Sequence, residues 1–213
     1  MSDDSEGGRR NGKAIPLFSI VSNNVNGLSA YPCDSKGYGR RRAKRKIVTE
    51  LCKDYDVVFL QETKLNALED TYLNDGRGRI FYSNKDNKHA GCLTYIGERL
   101  LRYYEPTAID SPSYLAGHVL QVFMRSKCGR FRDFVLDNLY LKSGSAQAPK
   151  RRQLQGLVHN ADDTIFMGGD FNFTESESDG GTLLSGPTAK VWNDLCQNLG
   201  LREIYNCRSD SSS

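Results

Sequence analysis

The sequence predicts an α/β sandwich built from mostly antiparallel sheets. Three observations carry that prediction. Short apolar runs rich in β-branched residues recur along the chain and end in Asn, Gly or acidic clusters. Stretches with apolar residues at helical spacing stand between some of them. Several consecutive strand candidates between residues 79 and 141 have no helix between them, whereas a doubly wound parallel sheet needs a crossover after each strand. The 213 residues, 38% hydrophobic with 20 glycines, set an expectation of one large domain or two small ones with a sizeable core.

Residues 1–14 are polar and aperiodic and read as a disordered tail. A single domain is expected over 15–206, followed by a second disordered tail at 207–213. The first strand is Leu17-Phe18-Ser19-Ile20-Val21-Ser22, which runs into the turn-forming Asn23-Asn24-Val25-Asn26-Gly27. Residues 40–54 read as a helix, with Ala43, Ile47, Val48, Leu51 and Cys52 on one face. A buried strand, Asp56-Val57-Val58-Phe59-Leu60-Gln61, follows and ends on Glu62. Further strands are expected at 79–83, 92–96, 117–125 and 131–141, and a helix opened by proline at 149–160. Thr164-Ile165-Phe166-Met167 is another short strand, and Gly168-Gly169 reads as a tight turn before Asp170. Residues 187–199 form an amphipathic helix capped by Gly200.

No apolar run approaches the length of about 18 residues that a membrane span needs, and the start of the chain is charged and Gly-rich. Neither a membrane anchor nor a cleaved secretory signal is expected. The cysteines at 33, 52, 92, 128, 196 and 207 include no C-x-x-C pair, so they read as reduced thiols. The expected location is nuclear or cytoplasmic, not secreted. Net charge is +3, unevenly spread. Arg40-Arg41-Arg42-Ala43-Lys44-Arg45-Lys46 fits a solvated helix face, a nuclear localisation signal or a phosphate-binding surface. Residues 153–189 carry acidic groups and no Lys or Arg, which fits an exposed loop or a cation site. His89 and His159 are expected at the surface and His118 in a strand.

Chemistry-bearing residues collect after the strands. Asn24 and Asn26 follow the first, Glu62 the second, and Asp170 with Asn172 the strand at 164–167. Residues two apart on an extended chain project to one side, so each such pair can aim two polar groups at one point. Asn138 and Tyr140 form a further pair, whose phenol suits a phosphoryl oxygen. Sparse oxygen donors of this kind suit Mg²⁺, which keeps waters for exchange with substrate.

The words Ser22-Asn23-Asn24-Val25-Asn26-Gly27-Leu28, Phe59-Leu60-Gln61-Glu62-Thr63-Lys64, Asn138-Leu139-Tyr140 and Gly168-Gly169-Asp170-Phe171-Asn172 occur in that order. Over residues 16–205 the chain resembles the endonuclease/exonuclease/phosphatase superfamily, which is DNase I-like. Within it the resemblance is to the endonuclease domains of non-LTR retrotransposons and to abasic-site endonucleases. It implies a four-layer α/β/β/α sandwich and metal-dependent hydrolysis of DNA phosphodiesters. It assigns Mg²⁺, with Mn²⁺ as the alternative, to Glu62 assisted by Asn24. Asp170 and Asn172 would orient water and phosphate, and Tyr140 would contact a phosphate oxygen. DNA is the implied partner, met by Asn26, Arg40, Arg41, Arg42 and Lys44; no membrane is implied and no protein partner is legible. Three departures stand out. Residues 32–39 lengthen the first loop by roughly ten positions, and Asn23 stands where the family often has an aromatic residue. The family's closing Ser-Asp-His word is replaced by Arg208-Ser209-Asp210-Ser211, with no histidine after it. The expectation is therefore a copy lacking its closing C-terminal strands and weak or inactive as a nuclease. The alternatives are a hydrolase of the same fold acting on a non-DNA phosphate, and a non-catalytic nucleic-acid-binding remnant.

Overall fold

The computed structural model describes residues 14–28, 35–65, 76–84, 90–144, 146–160, 162–174 and 182–202. Eight strands are arranged there in two four-stranded sheets. The first contains β1 (Ile20–Asn24), β2 (Val57–Gln61), β3 (Gly78–Ser83) and β4 (Cys92–Gly97), in the order β1-β2-β4-β3. The second contains β5 (Tyr104–Ala108), β6 (Val119–Ser126), β7 (Phe134–Tyr140) and β8 (Ile165–Asp170), in sequence order. β1 runs parallel to β2 and β7 parallel to β8, while every other pairing is antiparallel. Among the described residues there are four α-helices: α1 (Ser35–Asp54), α2 (Glu98–Leu101), α3 (Gln147–Gln155) and α4 (Gly186–Leu199).

β2 and β7 are buried throughout, which explains their near-continuous apolar sequence. Strand alternation then separates two interfaces. Val57 and Phe59 face the other sheet, where they join Cys92, Ile96, Val122, Met124, Phe134 and Leu136. Val58 and Leu60 face outward and pack with Val48, Leu51 and Cys52 of α1. Burying a side chain such as Phe59 contributes about 1.5–3 kcal/mol. On the outer side of the second sheet, Val119 and Leu139 pack with Leu157, Met167 and Phe171. Phe171 and Phe173 meet Trp192 of α4 edge-on, and the Thr188 hydroxyl of α4 donates to the Gln147 carbonyl of α3. The layers are therefore α/β/β/α. A polar rivet joins the sheets: Asn138 of β7 donates to the carbonyls of Leu60 and Leu93 and accepts from Gln61 at 2.8 Å.

Several elements differ from the sequence expectation. α1 starts at Ser35, so 35–39 extend the helix and the basic run lies inside it. β5 and α2 were not anticipated. β5 contains Pro106, which a strand tolerates at a sheet edge because its missing N–H is not needed there, and β5 is an edge strand. Gly168 and Gly169 lie within β8 and form no turn. The reason is close approach: a Cβ at Gly168 would sit 2.9 Å from the Phe59 ring, and one at Gly169 would fall on the Leu139 carbonyl oxygen. α3 stops at Gln155 because the Gln121 side chain bonds both the N–H and the carbonyl of Val158, holding 157–160 as a loop. The side chain of His159 on that loop is buried, not at the surface, because the buried carboxylate Asp137 lies 2.9 Å from its Nε2. His118 sits in the turn just before β6. The Gly200 cap of α4 is as expected, left-handed at φ 60°. His89 and the tails, apart from Ala14, lie outside the described residues. Among the described residues no helix is long and apolar enough to cross a membrane.

Candidate active site

Pairing register decides which side chains can meet. In the parallel β1–β2 pair Asn24 is level with Gln61, and in the parallel β7–β8 pair Tyr140 is level with Asp170. β1 and β2 contact β7 and β8 across the sandwich, so the C-terminal ends of these four strands reach one end of the molecule together. Glu62 is the first residue past β2.

Asn24 is the hub. Its Nδ2 donates to Glu62 Oε1 at 3.0 Å and to Asp170 Oδ2 at 2.7 Å, bridging two carboxylates that lie 108 positions apart in sequence. Its Oδ1 accepts the Asn26 N–H at 3.0 Å. The Tyr140 phenol lies near enough to Glu62 for each to shift the other's titration. Lys64 Nζ lies 3.1 Å from Glu62 Oε2 and donates to Asn26 Oδ1 at 2.6 Å. Asn172 is adjacent: its N–H donates to Asp170 Oδ1 at 3.1 Å, and its Nδ2 donates to the Leu141 carbonyl. Lys44 Nζ donates to the Asn26 carbonyl at 2.7 Å and ties α1 to the site loop. Arg42 lies elsewhere on α1, around a shallow surface hollow with Ala43, Arg45, Lys46 and Thr49, so the basic run is divided between two faces. Arg40 and Arg41 belong to α1, and their side chains lie outside the described residues.

The backbone is unusual at this end. Among the described residues the non-glycine positions with positive φ are Asn26 (44°), Glu62 (52°), Lys64 (51°) and Asn172 (50°), and all belong to the cluster. Asn adopts this conformation readily, but a Glu or Lys there costs about 1–3 kcal/mol, a strain that persists only where surrounding contacts over-determine it.

Electrostatics follow from the contacts. Partial burial pushes the Glu62 carboxyl up, but the hydrogen bonds from Asn24, Lys64 and Tyr140 and the Lys64 charge outweigh it and hold the group below the usual glutamate range. Burial, the Glu62 charge and the bond donated to Glu62 push the Tyr140 phenol up to about 12, so it remains a proton donor. Among the described residues no group of three or more His, Cys, Asp or Glu is placed to hold an ion by itself. Two carboxylates on one amide fit Mg²⁺, which binds through one or two carboxylates and completes its shell with water and phosphate oxygens.

The register thus brings together Asn24, Asn26, Glu62, Tyr140, Asp170 and Asn172, with Lys44 at the edge. Two members were missed. Lys64 is two residues after Glu62, so the spacing rule applied to Asn24 and Asn26 would have found it. His118, stacked on Tyr140 with ring centroids 5.5 Å apart, carries no sequence signal.

A family model described as the endonuclease/exonuclease/phosphatase family matches residues 24–209. The chain belongs to that family. A relative from Xenopus laevis, the transposon TX1 uncharacterized 149 kDa protein, is 27% identical over 124 residues, covering 56% of this chain and 9% of that protein. The chain therefore spans about a tenth of that relative's length. The same fold occurs in the AP endonuclease LMAP from Leishmania major, with TM-score 0.58 and 17% identity over 85% of this chain and 66% of that one. It occurs also in the Xenopus laevis APE2 catalytic domain, with TM-score 0.58 and 16% identity over 84% and 67% of the two chains. The 3′ phosphatase NExo from Neisseria, bound to a product DNA hairpin, aligns with TM-score 0.56 and 16% identity over 86% and 70%.

Proposed function

We propose that this chain is a nucleic-acid phosphodiester hydrolase, and more narrowly a metal-dependent DNA endonuclease of the retrotransposon or abasic-site kind. The observation that carries the reading is the meeting of Asn24, Glu62, Tyr140 and Asp170 at the ends of four strands, in a backbone strained nowhere else among the described residues. The DNA-acting proteins that share the fold support the choice of substrate.

The residues divide the work. Asn24 holds the Glu62 and Asp170 carboxylates in one plane of action, which keeps both oxygen-rich groups aimed at a single phosphate. A Mg²⁺ ion, or Mn²⁺, held by Glu62 with Asn24 beside it, supplies charge neutralisation at that phosphate when bound. Asp170, its Oδ1 anchored by the Asn172 N–H, accepts a hydrogen bond from the attacking water and orients it. Tyr140, protonated at neutral pH, turns its hydroxyl from Glu62 to a non-bridging oxygen and stabilises charge that develops there. Lys64 balances the carboxylates. Asn26, Lys44, Arg42, Arg40 and Arg41 meet backbone phosphates beyond the scissile one. For these 213 residues by themselves the expected turnover is slow, since no histidine follows Asn172 in them.

The test is nicking of supercoiled plasmid with Mg²⁺, Mn²⁺ or chelator, with Glu62→Ala beside the parent and with poly(A) RNA, an inositol phosphate and a phospholipid as competing substrates. Cleavage of DNA that needs metal and Glu62 supports the reading. Cleavage of another substrate alone, or none with metal present, refutes it.

A further inference from the structure

His118 lies outside every motif that points to the site, yet it is bound to Tyr140 at three places. The Tyr140 N–H donates to the His118 carbonyl at 2.7 Å. The His118 Nδ1 lies 2.8 Å from the Tyr140 carbonyl, and since a carbonyl only accepts, Nδ1 carries a proton and donates. The imidazole stacks on the phenol ring with an interplanar angle of 9°. His118 is itself fixed. Its N–H donates to the Leu115 carbonyl, and the preceding Gly117 is tied to the first sheet through the Ser83 hydroxyl and the Gly91 N–H. A rigid turn that spans both sheets therefore grips one aromatic ring along its face and its backbone on both sides. Such a grip, along the ring face and on both sides of the backbone, restricts rotation of the Tyr140 ring.

We infer that His118 is a positioning residue that locks the Tyr140 hydroxyl in its reactive place. The catalytic consequence rests on the hydrolase reading above; the locking does not. His118→Ala removes stack and tether together, His118→Asn keeps a donor close to Nδ1, and His118→Phe keeps only the stack. In single-turnover cleavage of a labelled DNA duplex with Mg²⁺, His118→Ala is expected to slow the step about 10- to 100-fold while the half-saturating enzyme concentration moves less than about twofold, with partial rescue in His118→Asn or His118→Phe. In a Tyr140→Phe background the same change should slow it less than about twofold further, because the hydroxyl it positions is gone. Equal losses in both backgrounds would mean a general structural role and would overturn the inference.

A second readout is independent of cleavage. With 3-fluorotyrosine in place of the 11 tyrosines, the Tyr140 resonance is assigned by its disappearance in Tyr140→Phe. It should shift or broaden in His118→Ala more than any other fluorine signal. An unmoved Tyr140 signal in folded His118→Ala, or in His118→Asn and His118→Phe where the alanine variant fails to fold, overturns the inference. Absence of cleavage by the parent chain would overturn the hydrolase reading and leave the fluorine signal to decide on His118.

Discussion

β2 carries a carboxylate at each of its ends, Asp56 just before it and Glu62 just after, and the two are handled in opposite ways. Asp56 is saturated. Ser19 donates to its Oδ2 through both N–H and hydroxyl, at 2.8 and 2.9 Å, and Arg99 clasps both oxygens with Nε and Nη2. Burial pushes the Asp56 carboxyl up, and the Arg99 and Ser19 bonds outweigh it, so the group stays below its ordinary range. The surrounding backbone shows no left-handed non-glycine residue among the described ones. Glu62 also sits below its ordinary range, but it shares its amide donor with a second carboxylate, and its own φ is 52°. The same strand is stapled at its start and held under strain at its end. The difference teaches that a lowered carboxyl pKa is common to a structural staple and to the candidate site; what sets Glu62 apart is a second carboxylate on the same amide and a strained backbone.

The largest effect should come from removing the scaffold beneath the strained end. Gly169→Ala places a methyl group on the Leu139 carbonyl oxygen at φ 148°, so β8 cannot stay paired with β7. A loss of about 4 kcal/mol or more, read by urea unfolding or as failure to recover soluble protein, is expected. Next, Glu62→Gln should lower DNA cleavage by about 10²- to 10³-fold with only a modest drop in the unfolding midpoint, because the amide fills the same space but loses the charge that Asn24 and Lys64 stabilise.

Asp56→Asn should do the reverse. Loss of the charge-assisted bonds is expected to cost about 1.5–3 kcal/mol, with cleavage per folded molecule within about twofold of the parent. The pH dependence sharpens this pair. Since both carboxyls are depressed in the folded chain, each stabilises it fully above its unfolded value, ordinarily 3.8 for Asp56 and 4.5 for Glu62, and that stability is lost as pH falls through the folded values. Acid titration of the unfolding free energy should therefore be flatter in Asp56→Asn than in the parent below about pH 4. An unchanged slope would mean that the staple contributes nothing. The smallest effect is expected on the basic helix. Arg42→Gln and Lys44→Gln should each reduce the slope of log binding constant against log salt by about 0.9 for a DNA duplex. Loss for Lys44 alone would restrict the DNA path to the face that touches the Asn26 loop.

Much of this was legible in residue order. Strands rich in Val, Leu and Phe, such as β2 and β7, announce burial by composition, and the Gly200 cap announces the end of α4. β5 was hidden by Pro106, whose tolerance depends on the strand lying at a sheet edge, a fact of topology. Gly168-Gly169 looked like a turn because local rules assign glycine to turns, whereas the cause is contact with Phe59 and Leu139 from distant strands. His159 looked like a surface residue because its partner, Asp137, is buried in another element.

By itself the sequence determined the α/β class, the strands that must be buried, and the polar residues left at their ends, since these depend on side-chain type and on periods of 2 and 3.6 along the chain. Tertiary structure alone decided that Asn24 holds Glu62 and Asp170 at once, that Glu62 and Lys64 adopt left-handed backbone, and that His118 grips Tyr140. Those facts depend on the parallel registers of β1 with β2 and of β7 with β8, and register is a relation between distant segments that no local pattern encodes.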